Sequence, residues 1–161
     1  MGAAALLAAA ACAQPALADR LTVKDEREET AALRDNGRVD ILRASAGHHG
    51  SRLEHKVVVR ERIKRSRKRE RPLIGINLRG SNTSDPEYLV YGDDVFKVRP
   101  QGDPLRVADA SLHGSRKTWT YRFEPAAFPN GGLGRYGWVA FTTTKKALDV
   151  VPPNYYETHR P

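Results

Sequence analysis

The chain has 161 residues, 29% of them charged and 40% hydrophobic, with a formal net charge of +8 and a sequence pI near 9.9. This length suits one ordinary domain with a hydrophobic core, and the positive charge predicts an acidic partner. Cys12 is the only cysteine, which excludes a disulfide framework.

The first 18 residues have the order of a secretory signal peptide. Residues 2–12 are small or apolar and uncharged, a Gln-Pro pair follows, and Ala16 and Ala18 stand where a signal peptidase requires small residues. Cleavage is therefore expected after Ala18, which removes 18 of the 161 residues and leaves 143. A buried Ala-rich helix and a lipoprotein signal at Cys12 are the alternatives. The run is too short for a transmembrane anchor, which needs about 20 apolar residues, so we expect a secreted or extracytoplasmic protein.

The rest of the chain is organised as a β-domain between two less regular segments. Residues 19–37 are dense in mixed charge, residues 38–150 alternate apolar and polar positions, and residues 151–161 carry a Pro-Pro pair typical of an extended tail. The alternation predicts strands near residues 38–46, 52–62, 72–79, 87–91, 94–99, 105–112, 117–123 and 136–143. About eight strands at this spacing predict an all-β fold, a single antiparallel β-sandwich of jelly-roll-like type, with a barrel as the second architecture.

One alternating run carries a histidine on its apolar side. Leu53, His55 and Val57 fall on one face, and charged residues fall on the other. A zinc site with His48 and His49 is one interpretation, but this spacing is not a zinc signature. We therefore expect His55 to be a hydrogen-bonded core residue.

The positive charge is concentrated between residues 60 and 71, where eight Lys or Arg stand against two Glu, a net charge of +6. Clustered cations bind polyanions by releasing counterions. The candidate anion-binding residues are Lys64, Arg65, Arg67, Lys68 and Arg69. A solvated hairpin loop is the alternative that we favour, and the lack of interleaved aromatic residues disfavours nucleic acid as the ligand.

Aromatic residues offer a second type of binding site. Tyr136 and Trp138 follow a glycine-rich stretch, and Tyr91 lies beside a predicted hairpin turn, so an exposed aromatic face could stack on sugar rings. Core packing uses the same residues at the same period. We predict that these three bind a ligand. No Gly-x-Ser-x-Gly, His-Glu-x-x-His or P-loop motif occurs, which favours a protein that is not an enzyme.

The N-terminal half also resembles a known group of domains. The matching segments are Leu21-Thr22-Val23-Lys24-Asp25, Val39-Asp40-Ile41-Leu42-Arg43-Ala44, and Gly47-His48 with Leu53 and His55. They look like secreted bacterial β-sandwich domains of the DOMON-like kind, which include the family 9 carbohydrate-binding modules. The resemblance covers mainly residues 21–60. It implies a β-sandwich, and it implies calcium as a cofactor, held by Asp25 and Asp40.

These patterns together predict a secreted, non-enzymatic module that binds a carbohydrate or another cell-envelope ligand. The alternative is attachment of the basic stretch to an anionic envelope polymer. A hydrolase of unknown substrate is the third interpretation, because carboxylates are numerous.

Overall fold

The computed structural model of the chain describes residues 20–24, 40–63, 71–78, 85–129, 136–143, 148–151 and 157–159. In chain order the strands of these residues are β1 (Leu21–Lys24), β2 (Ile41–His49), β3 (Arg52–Val59), β4 (Leu73–Asn77), β5 (Tyr88–Tyr91), β6 (Asp94–Lys97), β7 (Leu105–Ser115), β8 (Thr118–Phe123), β9 (Tyr136–Thr143), β10 (Leu148–Val151) and β11 (Glu157–His159). A short 3₁₀ helix, Pro125–Ala127, follows β8. Within these ranges no helix is long and apolar enough to cross a lipid bilayer.

The strands form one antiparallel sheet that nearly closes on itself. Ten strands follow the path β1-β2-β3-β8-β7-β6-β5-β4-β9-β10, and β11 pairs with β9 beside it. The long strand β7 joins the two halves, because its first residues pair with β6 and its last residues pair with β8. Near the ends of the path, the Ile41 N–H of β2 donates a hydrogen bond to the Asp149 carboxylate of β10. The sheet is therefore nearly barrel-shaped.

The prediction of an all-β antiparallel fold is confirmed, and each of the eight predicted segments overlaps a strand. The sandwich is not confirmed, because β7 runs unbroken between the two halves and the described strands number eleven. The additional strands β1, β10 and β11 are only three or four residues long. β5 and β6 are equally short, but the turn residues Gly92-Asp93 predict a hairpin there, and Leu21-Thr22-Val23 is compatible with an edge strand. Within the segment predicted as an extended tail, residues 151–161, the described residues Glu157–His159 form β11.

The core is rich in aromatic side chains, and His55 lies among them. Its ring stacks on Phe123 with the centroids 5.7 Å apart, and it meets Trp138 edge-on at 5.2 Å. The His55 Nε2 atom lies 2.9 Å from the Tyr136 hydroxyl oxygen, and His55 is fully buried. These contacts confirm that His55 is a hydrogen-bonded core residue. Because β3 and β9 belong to opposite halves of the sheet, this cluster holds the halves together.

Two buried tyrosines make the fold sensitive to alkali. Burial raises the pKa of Tyr121 and of Tyr136 above the ordinary value of about 10. Both phenols ionise more readily in the unfolded chain, so the stability they contribute is fully present below about pH 10 and is lost as the pH rises further. We expect part of the phenolate absorbance to appear only together with the loss of the β-sheet circular dichroism signal. Ionisation of all six tyrosines near pH 10 in the folded protein would count against this burial.

Candidate anion-binding face

The structure places two of the three predicted sugar-binding aromatic residues in the core instead of on an exposed face. Tyr136 and Trp138 are both 0% exposed, and Tyr91 is half-buried on β5. All five residues from 136 to 140 are buried, so this part of β9 has no solvent-facing side. The expectation that Tyr136 and Trp138 lie at the surface was therefore wrong. The alternation of side chains along a strand shows that the strand has two faces. It does not show whether other parts of the protein cover the second face as well.

The structure describes only one of the two predicted calcium residues, Asp40. Asp40 is buried, and its carboxylate accepts a hydrogen bond from the Arg60 guanidinium in an ion pair. Asp25 lies outside the described residues. Across the described ranges, no three His, Cys, Asp or Glu side chains form a group that could hold a metal ion. Asp40 thus has a cation of the chain itself as its partner.

The predicted anion-binding residues Lys64, Arg65, Arg67, Lys68 and Arg69 lie outside the described residues, but both ends of their loop are described. On one side Ile63 is buried, and its N–H donates a 2.8 Å hydrogen bond to the Arg116 carbonyl oxygen. On the other side the Tyr121 hydroxyl donates to the Pro72 carbonyl oxygen. The described residue before this segment is therefore bound to the β7–β8 turn, where Arg116 and Lys117 are exposed, and the described residues after it contact β8.

A second group of cations lies on strands, on the outward side of β1, β2, β3 and β8. On β1 and β8 more buried residues alternate with these outward positions, and the strand register places the outward positions of β2 and β3 beside them. We call this surface the basic face. It consists of eight charged residues and the Thr and Ser residues between them. The charged residues are Arg20, Lys24, Arg43, Arg52, Lys56 and Arg122, with Glu54 and Glu124. Six cations against two carboxylates give it a net charge of +4.

The opposite half of the sheet carries charge of the other sign. Residues 85–109, which contain β5, β6 and the start of β7, hold six Asp or Glu and three Lys or Arg, a net charge of −3. The molecule is therefore electrically polarised. An anionic partner is attracted to the basic face and repelled from residues 85–109.

A β-bulge in β2 turns Arg43 towards solvent. Ile41 pairs with Val59 and Arg43 pairs with Val58, so Leu42 is an extra residue on β2. Ile41 is buried, and strict alternation would place Arg43 on the same inward side. With the bulge, Leu42 and Arg43 are both exposed, and the later residues of β2, from Ala44 to His49, pair in unbroken register with Val57 to Arg52 of β3. Bulges commonly redirect a side chain in this way next to functional sites.

The bulge brings like charges together on neighbouring strands. Arg43 stands directly opposite Lys24 of β1, and Lys56 of β3 is its diagonal neighbour. Like charges directly opposite one another destabilise a strand pair. Among the described ion pairs, none involves Lys24, Arg43 or Lys56. Within the described residues these three cations therefore lie side by side without a carboxylate paired to them.

Glu54 organises the adjoining part of the basic face. Its carboxylate is only 6% exposed, and its two oxygens accept hydrogen bonds from Arg20 and, at 2.8 Å, from Arg122. Charged hydrogen bonds of this kind fix the direction of a guanidinium group. Glu54 thus positions two of the cations of the face.

Replacing Glu54 by Gln is expected to lower the free energy of unfolding by about 2 kcal/mol, because two charged hydrogen bonds to a buried acceptor are lost or weakened. The variant gains one positive charge, yet it should bind anions less well, since Arg20 is no longer held. Urea unfolding and ligand titration measure both effects. The control is Glu124→Gln, whose pair with Arg52 is 2.7 Å long but half exposed, and which should cost below about 1 kcal/mol. Equal losses in both variants would rule out the special role of Glu54.

A cavity of about 170 Å³ opens among the cations of the basic face. It is lined by Arg20, Thr22, Arg43, Ser45, Lys56 and Val58. These residues come from β1, β2 and β3 and from the residue before β1, which are far apart in the chain but adjacent in the sheet. The cavity therefore depends on the strand register and cannot form in any one segment alone.

The geometry defines an antiparallel β-domain with one basic face. Comparisons of the chain with models of known protein families, with curated proteins and with solved structures gave no match. The resemblance to DOMON-like domains therefore stays a prediction.

Proposed function

We propose that the chain is an exported, non-enzymatic, sandwich-like β-module that attaches to an anionic polymer outside the cytoplasm through the basic face. The observation that carries this proposal is the side-by-side arrangement of Lys24, Arg43 and Lys56 with no carboxylate paired to them among the described residues. Proteins tolerate such crowding of like charges chiefly where function requires it. A polyanion relieves the repulsion and releases its own counterions.

The spacing of the cations suits a repeating ligand. Outward side chains lie about 6.6 Å apart along a strand, and adjacent strands lie about 4.8 Å apart. The basic face therefore presents a two-dimensional array of positive charges at distances of a few ångströms. A flexible polymer with regularly spaced negative charges can contact several of them at once.

In this proposal the basic stretch, residues 60–71, supplies further positive charge. β3 ends at Val59, next to the outward Val58 and Thr118 at one border of the basic face, and the loop begins directly after it. Lys64, Arg65, Arg67, Lys68 and Arg69 would add to the positive charge that attracts the polymer. Their contribution is electrostatic, as the sequence suggested.

A ligand that is neutral is less well supported. Stacking on neutral sugars needs exposed aromatic rings, and Tyr136 and Trp138 are buried. The carbohydrate that fits the basic face is one that carries acidic groups. The proposal therefore joins the two binding hypotheses, with an acidic envelope polymer as the ligand.

The proposal is tested by measuring association with polyphosphate, polygalacturonate and neutral dextran at several salt concentrations. We expect binding to both polyanions and none to dextran. The logarithm of the association constant should fall linearly with the logarithm of the salt concentration. The slope should be about −2 or steeper, since three or more cations each release about 0.7 to 0.9 counterion. Binding that is unchanged between about 50 and 200 mM salt would refute the proposal.

A further inference from the structure

The cavity on the basic face is the most specific feature of that surface. Its volume is about 170 Å³, whereas one water molecule takes about 30 Å³ in the liquid, so it can hold a group of several heavy atoms. None of its six lining residues is acidic. It therefore suits a polyatomic anion.

The donors of the cavity point to it from several directions. Arg20 precedes β1, Arg43 lies on β2 after the bulge, and Lys56 lies on β3. Thr22, Ser45 and Lys56 stand opposite one another on adjacent strands, so two hydroxyl groups share a row with the ammonium group. Ser45 is only 7% exposed and is the most buried of the lining residues. Three cations and two hydroxyls are more donors than a planar carboxylate with two oxygens can use.

Arg20 can donate hydrogen bonds to a ligand while it stays paired with Glu54. One of its terminal nitrogens is paired with Glu54, and a guanidinium group has five N–H donors, so further donors remain for an anion. Guanidinium groups match the oxygens of phosphate in both geometry and charge.

The cavity also has an apolar wall. Val58 lines it and is half-buried. An inorganic ion would gain nothing from this contact, whereas the carbon atoms of an ester would pack against it. The lining therefore combines donors for a tetrahedral anion with a small apolar surface for the alcohol part.

From this combination we infer that the cavity is a subsite for one phosphate ester group of the ligand. The inference rests on the proposed function and deepens it, because it names phosphate esters as the charged groups of the polymer. Arg20, Arg43 and Lys56 bind the phosphate oxygens together with the hydroxyls of Thr22 and Ser45. One ester group binds per protein molecule.

The test is calorimetric titration with glycerol 3-phosphate, inorganic phosphate, acetate and glycerol at equal ionic strength. We expect the association constants to fall in that order, with glycerol 3-phosphate at least about tenfold above acetate. This ranking uses the unchanged protein and needs no variant. Equal binding of acetate and glycerol 3-phosphate overturns the inference.

A variant separates the subsite from the charge of the whole face. Thr22→Val with Ser45→Ala removes both hydroxyls without changing any charge, and it should weaken glycerol 3-phosphate binding about tenfold while the salt dependence of polymer binding stays the same. The control is Thr120→Val, which is next to Lys56 on β8 but does not line the cavity. Unchanged ester binding in the double variant, with an unchanged melting temperature, overturns the subsite.

The two proposals fail in different ways. If the protein binds polyphosphate with the expected salt slope but binds no phosphate ester, the subsite is wrong and the proposed function stands. If it binds no polyanion at all, the proposed function fails, and the subsite fails with it.

Discussion

Replacing Arg43 and Lys56 together by Gln is expected to weaken polyphosphate binding about 30-fold, because each Lys or Arg near an anionic surface contributes about 1 kcal/mol. The salt slope should become shallower by roughly 1.4 to 1.8, since two fewer counterions are released. The same variant should be as stable as the parent or slightly more stable. Removing Arg43 relieves its repulsion with Lys24, which is worth roughly a few tenths of a kcal/mol.

The matched control removes two cations from the other half of the sheet. Lys97 and Arg99 are exposed in the region of net negative charge, and Lys97→Gln with Arg99→Gln changes the total charge by the same amount. Its effect on polyphosphate binding should be small. If both double variants lose the same affinity, the ligand senses only the total charge of the protein, and the basic face has no special role.

Replacing Trp138 by Ala is expected to lower the free energy of unfolding by about 3 to 5 kcal/mol. The ring is fully buried against His55, and its loss leaves a cavity between the two halves of the sheet. The melting temperature should fall by roughly 10 °C or more. Thermal unfolding followed by circular dichroism measures this directly.

Two further variants show whether the loss comes from packing. The Trp138 indole N–H is buried with no hydrogen-bond partner among the described residues, so Trp138→Phe removes no hydrogen bond and should be less costly than the Ala variant. Leu105 is 50% exposed, and Leu105→Ala should change stability by less than about 0.5 kcal/mol. A Trp138→Ala variant that melts like the parent but no longer binds glycans would restore the sugar-stacking hypothesis.

The sequence was sufficient to locate eight of the eleven described strands and part of the core. Alternation identified Leu53, His55 and Val57 as inward residues, because a strand half buried in a sheet repeats every two residues. It equally placed Lys56 on the outward side, where it lines the cavity. The same rule could not separate Trp138 from a surface aromatic residue, because both sides of β9 are covered there.

The candidate site itself depends on features that alternation does not reveal. The bulge at Leu42 reverses the direction of every later side chain of β2, and nothing in the local sequence marks it. The cavity brings Arg20 and Arg43 next to Lys56 through the register of three strands, which is a tertiary property. The sequence drew attention to the basic loop because eight cations stand there in twelve residues. The cations of the basic face are dispersed along the chain and meet only in the folded sheet.

The most direct test of the account is to map the polyphosphate contact by the amide chemical shifts of the intact protein during a titration. We expect the largest changes on β1, β2 and β3, at Thr22, Arg43, Ser45 and Lys56, and these changes should disappear at high salt. Changes confined to β5 and β6, or to loop residues 64–70 alone, would contradict the assignment of the ligand to the basic face.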